Sequence, residues 1–522
     1  MRSIDVFDKG AEIDPGRPAI IGAGQVISFA ELSALSFRVA AALRRDGIGR
    51  QRPIAIYAPN DPLVLVALLG LWRAGDIWIP VNARNALDAN LAYMNYVGAE
   101  VLFYHSSFAE DAARLKAETG LRLTICLDRP WDGDASFDGW LEGVSPADFV
   151  DDCDAFGNPD EIVGVFPTGG TTGPAKGVNV TNLGWGTMLS IAAGALKIDD
   201  APPVCLTTAP LTHAAGPMAT STLGLGATQV IMPGFDAGEV LVNIERYKVT
   251  HLYCPPTALY GLLDHATLGS HDYSSLRRFM LVGSPVAPEK FARAVEMFGP
   301  CLCQCYGQVE APMMMTWLPP KVAAAAARGD HPERLRSCGK PTDPIRMAIM
   351  GDDGALLPPG ERGEIVVRGP LVSRDYFNKP QETAEAHALG WHHTGDVGYR
   401  DADGYVYIVD RKKDMIITGG FNVFSAEVEA CVMELAAVRE CAVIGVPDAK
   451  WGEAIKAIVV RAAGDSDLDE AAVIAHAKAR LGGVKSPKSV EFWDEIPKTP
   501  ANKMDKKAIR SRFWSDAERM VH

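Results

Sequence analysis

Hydrophobic and polar positions over residues 26–150 alternate between a helical period and short apolar runs. Residues 29–48 place apolar side chains three and four positions apart and end in basic residues and Gly47, which predicts an amphipathic helix. The apolar run at 52–59 predicts a buried strand, and residues 64–75 and 77–81 repeat the helix and the strand. This alternation predicts a parallel sheet with helices on its faces.

The same rhythm continues beyond residue 160 and changes near residue 345. Residues 161–166 predict a strand, and 181–196 predict a helix whose N-cap is Thr181. From about 345 onward, short strands are joined by Gly, Asp and Pro turns, and a compact tail of helices and strands follows. We therefore predict an α/β fold with a large N-terminal domain of layered α/β subdomains plus a small β region. A small, mobile α+β domain completes the chain.

Composition and charge narrow the class of protein. The 522 residues carry a net charge of −14, and the pI is about 5.3. This balance argues against general binding to nucleic acid or anionic membranes, which require basic surface. The N-terminus lacks the apolar stretch of a signal peptide, and the longest apolar run, 62–72, is too short to cross a bilayer. We expect a cytoplasmic protein without a transmembrane segment.

Ten cysteines are scattered along the chain, and three of them form the motif CLCQC at 301–305. The motif lacks the paired spacings of zinc sites, and no histidine lies close to it in sequence. Alternation along a β-strand is the interpretation that we favour over a metal site.

The segment PTGGTTGPAKGV, 167–178, suggests a phosphate-binding loop. Glycines allow backbone N–H groups to approach phosphate oxygens, and a lysine adds positive charge. The segment is not a Walker A motif, because Ala175 precedes Lys176 and Gly177 follows it. Taken alone, it is also compatible with a flexible surface turn.

Seven segments in a fixed order carry a resemblance to a known family. They are the glycine-rich loop, APLTHAAG (209–216), VGSPV (282–286), QCYGQVE (304–310), WHHTGDVG (391–398), DRKKD (410–414) and PKTPANK (497–503). This ordered set resembles the AMP-forming adenylating superfamily of acyl-CoA synthetases, peptide-synthetase adenylation domains and luciferases. The resemblance implies that ATP activates a carboxylic acid to an acyl-adenylate, which CoA converts to acyl-CoA, with AMP and pyrophosphate as products. It also implies an N-terminal AMP-binding domain over 1–411 and a mobile domain over 412–522, with a hinge near Lys413.

The resemblance further implies which residues hold the nucleotide. Those assigned to the phosphates are Thr168, Gly169, Gly170, Thr171, Thr172, Gly173 and Lys176. Those assigned to adenine and ribose are Ser284, Pro285, Gln304, Cys305, Tyr306, Gly307, Asp396 and Arg411. Glu310 would hold Mg²⁺, a role that suits a hard carboxylate oxygen. A solvated carboxylate at Glu310 and a common Gly-Asp turn at Asp396 are the alternatives.

Three residues receive catalytic roles from the resemblance, namely Lys503, Glu310 and His213. Lys503 would bridge the carboxylate of the acid and the α-phosphate and stabilise the developing charge. Without the resemblance, Lys503 is a tail lysine in a basic run. His213 would act as a general base or gate near the acyl group, and a packed, hydrogen-bonded histidine is the alternative.

Two further features concern the second half-reaction and the departures from the family pattern. Gly419 and Gly420 resemble glycines that let the pantetheine arm of CoA pass, although a plain β-turn also explains them. Val309 stands where the family has a Thr or Ser that faces the α-phosphate, so a neighbour or water must compensate or turnover falls. Asn502 replaces a glycine, and asparagine tolerates positive φ better than most residues.

The identity of the acid is only partly constrained. The segment around His213 has no acidic residue to pair with an amine, which argues against an α-amino acid. Positions that line the acyl pocket in relatives include Met218, Gly283 and the run Met313, Met314 and Met315, which suit an apolar fatty, alicyclic or aromatic acid. Core packing also explains the methionine run. CoA is the expected acceptor, because no carrier domain follows the small domain. A separate acyl-carrier protein, a weakly catalytic binding relative and a homodimer remain open.

Overall fold

The computed structural model describes residues 2–153, 157–168, 176–199, 202–213, 215–448, 450–462, 467–499 and 504–514. The chain divides into two compact units. The first comprises Met1–Met347, Val367–His392 and Gly404–Val406, and the second Ala348–Val366, His393–Asp403 and Tyr407–His522. The division into 1–411 and 412–522 with a hinge near Lys413 stays a prediction.

The helices follow the predicted order along the chain. They are α1 Ser3–Ala11, α2 Phe29–Arg45, α3 Pro62–Arg73, α4 Leu87–Val97, α5 Ala109–Glu118, α6 Phe137–Trp140, α7 Asn182–Leu196, α8 Ala215–Leu223, α9 Ala237–Arg246, α10 Pro256–Leu263, α11 Pro288–Phe298, α12 Pro320–Ala327, α13 Pro380–Ala386, α14 Ser425–Val432, α15 Glu470–Lys485 and α16 Lys506–Arg510. No helix among the described residues is long and apolar enough to cross a membrane.

The strands alternate with these helices. They are β1 Pro18–Gly22, β2 Gln25–Ser28, β3 Pro53–Tyr57, β4 Ile77–Pro80, β5 Val101–Tyr104, β6 Leu123–Cys126, β7 Ile162–Pro167, β8 Gly177–Thr181, β9 Val204–Thr207, β10 Thr228–Ile231, β11 His251–Cys254, β12 Arg278–Leu281, β13 Leu302–Gln308, β14 Ala311–Leu318, β15 Lys340–Pro341, β16 Arg346–Met350, β17 Gly363–Arg368, β18 Asp375–Tyr376, β19 His392–Arg400, β20 Val406–Arg411, β21 Ile416–Thr418, β22 Phe421–Val423, β23 Val438–Asp448, β24 Gly452–Arg461 and β25 Ser489–Phe492.

Two sheets organise the first unit. One has nine strands in the order β15-β14-β13-β12-β11-β9-β10-β1-β2, and the other has seven in the order β18-β8-β7-β4-β3-β5-β6. Strands β9 to β13 pair in parallel, as do β3 to β6, while hairpin partners such as β13 and β14 are antiparallel. The predicted layered α/β architecture is confirmed.

Local sequence explains where α2 and α7 begin. Ser28 accepts the Glu31 backbone N–H, and the Glu31 carboxylate accepts the Ser28 N–H, which forms a capping box at α2. At α7 the Thr181 hydroxyl accepts the Gly184 N–H at 3.2 Å, so the predicted N-cap is confirmed. These caps fix the directions in which the two helices leave the preceding strands.

The hydrophobic pattern did not predict strand β8. Residues 177–181 form β8, which runs antiparallel to β7, so a hairpin replaces the direct strand–loop–helix connection that the sequence suggested. The polar Asn179 is buried within β8 because its amide donates to the Asp375 carboxylate on β18 at 2.5 Å. A buried polar residue with a distant partner leaves no trace in local periodicity.

The second unit contains two sheets. The strands β16, β17, β19 and β20 form one, and β22, β21, β24 and β23 form the other, in which β25 pairs with β24. Strand β23 pairs with β24 from Val438 to Asp448, and side chains of α14 and α15 complete the apolar core below them. The tail is therefore the α+β module that the sequence predicted.

A buried histidine in the first unit gives a pH-dependent prediction. Burial lowers the pKa of His251 to about 4, while its ring lies 2.7 Å from the Leu196 carbonyl and 2.8 Å from the Thr250 hydroxyl. Unfolded histidine binds a proton below about pH 6.5, so stability is lost as the pH falls from there toward 4. Relative to His251→Gln, the native protein should lose about 3 kcal/mol of unfolding free energy over this range in denaturant titrations. Parallel pH profiles would contradict the buried neutral ring.

Candidate functional site

The glycine-rich segment closes a hairpin at its base. Thr168 donates its N–H to the Lys176 carbonyl at 2.8 Å, one step beyond the pair Pro167 and Gly177 that joins β7 to β8. Gly169, Gly170, Thr171, Thr172 and Gly173 lie outside the described residues. The two described ends of the segment are therefore held together by backbone pairing.

Lys176 and Glu310 meet at one tyrosine. The Lys176 ammonium lies 5.3 Å from the centre of the Tyr376 ring, and the Tyr376 hydroxyl donates to Glu310 Oε1 at 2.8 Å. Burial, together with the Glu310 charge, raises the pKa of Tyr376 well above its usual value, so the hydroxyl stays a donor. Lys176 and Glu310, which are 134 positions apart in the sequence, thus both contact Tyr376.

Tyr376 was not among the predicted residues. It lies on the two-residue strand β18, whose pairing with β8 brings it beside the hairpin base. The Phe377 N–H also donates to the Gly177 carbonyl at 2.7 Å. The segment RDYFNKP carries no spacing that marks it as functional, because its place depends on a strand pair formed across the fold.

Glu310 occupies the tip of a tight hairpin. Val309 and Glu310 form the turn between β13 and β14, and the Glu310 carbonyl accepts the Ser373 N–H at 2.7 Å. Gly307 sits so close to the Met313 backbone that an added Cβ would lie 2.4 Å from the Met313 nitrogen. Only glycine fits there, and its absence of a side chain lets the turn close.

Other predicted residues follow the carboxyl ends of parallel strands in the nine-stranded sheet. Ser284 and Pro285 are exposed just after β12, and His213 is exposed in the segment after β9. Tyr306 lies near the end of β13, which is the parallel neighbour of β12. In α/β sheets this edge is where ligands bind, so the fold brings these residues to a suitable place.

Gln304 and Cys305 are buried within β13. Gln304 Oε1 has no hydrogen-bond partner among the described residues, whereas Cys305 contacts Met280 sulfur to sulfur at 3.7 Å. Burial raises the pKa of Cys305 to about 12, so its thiol stays protonated. Cys303 also lies on β13, in agreement with the strand interpretation of CLCQC.

The methionine positions are mostly internal. Met313, Met314 and Met315 lie on β14, Met218 lies on α8, and all four are buried. Met313 has φ of +53°, which is unusual for a residue without a small polar side chain. Burial of the whole run fits core packing as well as a pocket wall.

Asp396 and Arg411 are brought together in the second unit. The Arg411 guanidinium lies 3.2 Å from Asp396 Oδ1, and the two residues lie on the strands β19 and β20. The Thr394 hydroxyl accepts the Asp396 N–H at 3.1 Å. The Asp396 side chain is 9% exposed and that of Arg411 is 49% exposed, so a buried carboxylate is paired with a more accessible cation.

Gly419 and Gly420 form the turn between β21 and β22. Their φ values are +56° and +80°, a combination that favours glycine at both central positions of a hairpin turn. An added Cβ on Gly419 would lie 2.7 Å from the ring of Trp451, and the Gly419 N–H donates to the Trp451 carbonyl at 2.8 Å. The two glycines therefore form a hairpin turn, and close packing of Gly419 against Trp451 is a second constraint that the sequence did not reveal.

The C-terminal segment next to the predicted catalytic lysine interacts with residues that precede Lys413 in the sequence and residues that follow it. Lys503 lies outside the described residues. Lys498 and Met504, which precede and follow it in the sequence, form an antiparallel β-bridge. Lys506 lies 2.7 Å from Glu429 and donates to the Ser425 hydroxyl at 2.7 Å, and that hydroxyl donates to Asp410.

Lys506 is therefore paired with a carboxylate and is not a solvated member of the basic run in this tail. Burial disfavours the charged form of Lys506, but the carboxylates of Glu429, Asp410 and Asp414 raise its pKa. Arg510, on the same helix, pairs with Asp414 at 2.8 Å. Helix α16 is thus tied to residues on either side of the predicted hinge.

Two protein-family models together match most of the chain. The family model described as AMP-binding enzyme matches residues 7–377, and the one described as AMP-binding enzyme C-terminal domain matches 427–503. The medium/long-chain-fatty-acid–CoA ligase of Mycobacterium tuberculosis is 44% identical over 370 residues, which are 70% of this chain and 63% of that protein. A feruloyl-CoA synthase of an Amycolatopsis species is 36% identical over 96% of this chain and 97% of its own length.

Solved structures match over nearly the full length. Amide bond synthetase from Marinactinospora thermotolerans has a TM-score of 0.87 and 31% identity, and the match covers 98% of this chain and 100% of that one. ATP-bound MatB from Rhodopseudomonas palustris has a TM-score of 0.87 and 28% identity, and the match covers 99% and 100% of the two chains.

Proposed function

Because this chain belongs to the AMP-binding enzyme family, we propose that it is an acid–thiol ligase that activates an apolar carboxylic acid with ATP and joins it to CoA. In the first half-reaction, a carboxylate oxygen attacks the α-phosphorus, and the bond to pyrophosphate breaks. In the second, the CoA sulfur attacks the acyl carbon, the bond to the phosphate oxygen breaks, and AMP leaves. The thiol proton passes to solvent.

The contact of Lys176 and Glu310 with Tyr376 carries this proposal. It holds a positive charge at the base of the glycine-rich segment and a carboxylate oxygen beside it. Such a pair suits a nucleoside triphosphate, since phosphate oxygens attract the ammonium and carboxylates prefer hard cations. Glu310 would hold Mg²⁺, which neutralises phosphate charge when bound. The roles of the remaining predicted residues belong to the same proposal.

Asp396 and Arg411 support a ribose-binding role. The Asp396 carboxylate offers two acceptor oxygens, enough for the two hydroxyls of a ribose. Arg411 lies 3.2 Å away and orients the carboxylate, while its own exposure leaves donors for the sugar. For Lys503 the proposal rests on the sequence resemblance alone.

An apolar acid is supported by two observations. The segment around His213 contains no carboxylate for a substrate amine, and the methionines of α8 and β14 are buried and apolar. The M. tuberculosis and Amycolatopsis relatives are named for medium- or long-chain fatty acids and for ferulate. A fatty, alicyclic or aromatic acid therefore fits best.

Pyrophosphate release across a panel of carboxylic acids, with and without CoA, tests the proposal. We expect release with apolar acids and a thioester only when CoA is present. A carrier protein and an amine serve as competing acceptors, the amine because one structural neighbour is an amide bond synthetase. Absence of pyrophosphate with every acid would refute the activity, and amide or carrier-bound product without acyl-CoA would refute the acceptor.

Tyr376→Phe should slow adenylation about 10-fold. The change removes the hydroxyl that donates to Glu310, and a hydrogen bond to a charged group contributes about 1.5–3 kcal/mol. We also expect activity to require a higher Mg²⁺ concentration. Tyr96→Phe is the matched control, because the Tyr96 hydroxyl donates to the nearby Phe377 carbonyl and not to Glu310. Equal effects of both changes would point to loop packing and not to Glu310.

Val309→Thr should leave adenylation unchanged or raise it modestly. Val309 forms the hairpin turn with Glu310, and a hydroxyl there would supply the donor that this sequence lacks. The gain should not exceed that of about one hydrogen bond to a charged group. Single-turnover adenylation rates provide the measurement, and a large loss would mean that the methyl groups are needed for packing.

The proposal also includes a cytoplasmic location and leaves a homodimer as the alternative to a monomer. No disulfide joins any of the ten cysteines, all of which lie among the described residues, and this suits a reducing compartment. Fractionation of the native cells and sedimentation of the purified protein would test these two points separately.

A further inference from the structure

Three side chains that carry metal-ligating atoms lie close together in the second unit, among residues that the proposed reaction does not use. Cys431 lies on α14, Glu434 follows the end of that helix, and His476 lies on α15. A sulfur, a carboxylate oxygen and an imidazole nitrogen from the three residues all lie within 4.8 Å of one another. The residues belong to none of the segments that resemble the adenylating superfamily.

The present contacts preorganise the group. His476 Nε2 lies 3.1 Å from the Cys431 carbonyl oxygen and 3.3 Å from Glu434 Oε2. Cys431 is buried, whereas the side chains of His476 and Glu434 are 21% and 46% exposed. The thiol therefore forms the floor of the group, and the open side faces solvent, from which an ion can enter.

The chemistry of the donors selects a borderline metal. Thiolate and imidazole together favour Zn²⁺ over Mg²⁺ or Ca²⁺, and a carboxylate is an accepted third ligand. With bonds of about 2.0–2.3 Å, ligand atoms around tetrahedral Zn²⁺ lie about 3.3–3.8 Å apart. The ligand atoms lie within 4.8 Å of one another, so side-chain rotations must shorten the longer separations on binding, and water fills the fourth position.

We propose that Cys431, Glu434 and His476 bind a Zn²⁺ ion that links α14 to α15. Binding releases the Cys431 thiol proton to solvent, and the imidazole proton moves from Nε2 to Nδ1, which leaves Nε2 free to coordinate. The ion replaces the hydrogen bonds that His476 now makes. It joins two helices that pack on the same apolar core.

Arg480 competes with the ion for one ligand. Its Nε lies 3.2 Å from Glu434 Oε2, the same oxygen that faces His476. A bound dication and a guanidinium repel each other across this oxygen. Arg480→Gln should therefore tighten metal binding several-fold, an effect opposite to that of losing a ligand.

Titration of the full-length protein with Co²⁺ as a probe for the Zn²⁺ site tests the proposal. We expect one equivalent per chain, a thiolate-to-cobalt charge-transfer band in the near ultraviolet, and loss of the band when Zn²⁺ is added. Cys431→Ser should abolish the band, and His476→Gln should weaken binding at least about 10-fold. Cys153→Ser is the matched control, since Cys153 lies far from the group in sequence and is also a free thiol.

Three results would overturn the site. They are no charge-transfer band, an undiminished band in Cys431→Ser, or weaker binding in Arg480→Gln. Circular dichroism of each variant separates loss of a ligand from loss of the fold. The readout does not involve ATP or the acid, so its failure leaves the ligase proposal standing, and failure of the ligase assay leaves this site testable.

Discussion

Replacement of Lys503 by Ala is expected to lower acyl-adenylate formation by about 10²- to 10³-fold. This is the usual loss when one preorganised donor to a developing negative charge is removed. Thioester formation from supplied acyl-adenylate should largely survive, because the small domain is proposed to rotate between the half-reactions and carry Lys503 away. Pyrophosphate release and thioester formation, measured separately in the same variant, provide the test.

Lys507→Ala is the matched control for this prediction. Lys507 is an exposed lysine on α16, close in sequence to Lys503 and outside the proposed machinery. We expect both of its half-reactions to proceed at the native rate. Equal losses of the two half-reactions in Lys503→Ala would contradict the assignment of this lysine to adenylation alone.

Lys413→Pro is expected to uncouple the two half-reactions. Lys413 is the central residue of a short 3₁₀ turn, Lys412–Asp414, between β20 and β21. A hinge must absorb a large φ/ψ change, and proline fixes φ near −65°. If the adenylating orientation is trapped, acyl-adenylate should still form from ATP and acid while transfer to CoA collapses.

Lys413→Ala separates the backbone effect from loss of the side chain. Alanine keeps the conformational freedom that a hinge needs and removes the same ammonium group as proline does. We expect it to retain both half-reactions far better than Lys413→Pro. Native rates of both half-reactions in the proline variant would leave a salt-bridged linker as the better explanation of DRKKD.

Elements with strong periodicity or a clear cap were predictable from the sequence. Helix α3 is apolar from Pro62 to Trp72 and mostly buried, and α7 begins at the predicted Thr181 cap. Strand β8 was not predictable, because its place depends on Asn179 donating to Asp375, a residue 196 positions away. Local pattern reports which face a segment buries, and it carries no information on distant polar partners.

The residues of the candidate site were likewise only partly predictable from the sequence. The ordered motifs contain Lys176, Glu310, Asp396 and Arg411. In the structure Lys176 and Glu310 both contact Tyr376, and Arg411 pairs with Asp396. Tyr376, which joins the first two, was missed because a two-residue strand positions it. The motifs contain the residues that are proposed to touch ligands, whereas the supporting residue Tyr376 is apparent only in the folded chain.

The ion pair between Lys506 and Glu429 limits how this tail can evolve. The two side chains are only 14% and 15% exposed, and loss of either would strand the other charge at a cost of roughly 3 kcal/mol. A single substitution at either position therefore lowers stability, whereas a change at both positions together can avoid this loss. Replacement of both residues by a well-packed apolar pair is the change that avoids an unpaired buried charge.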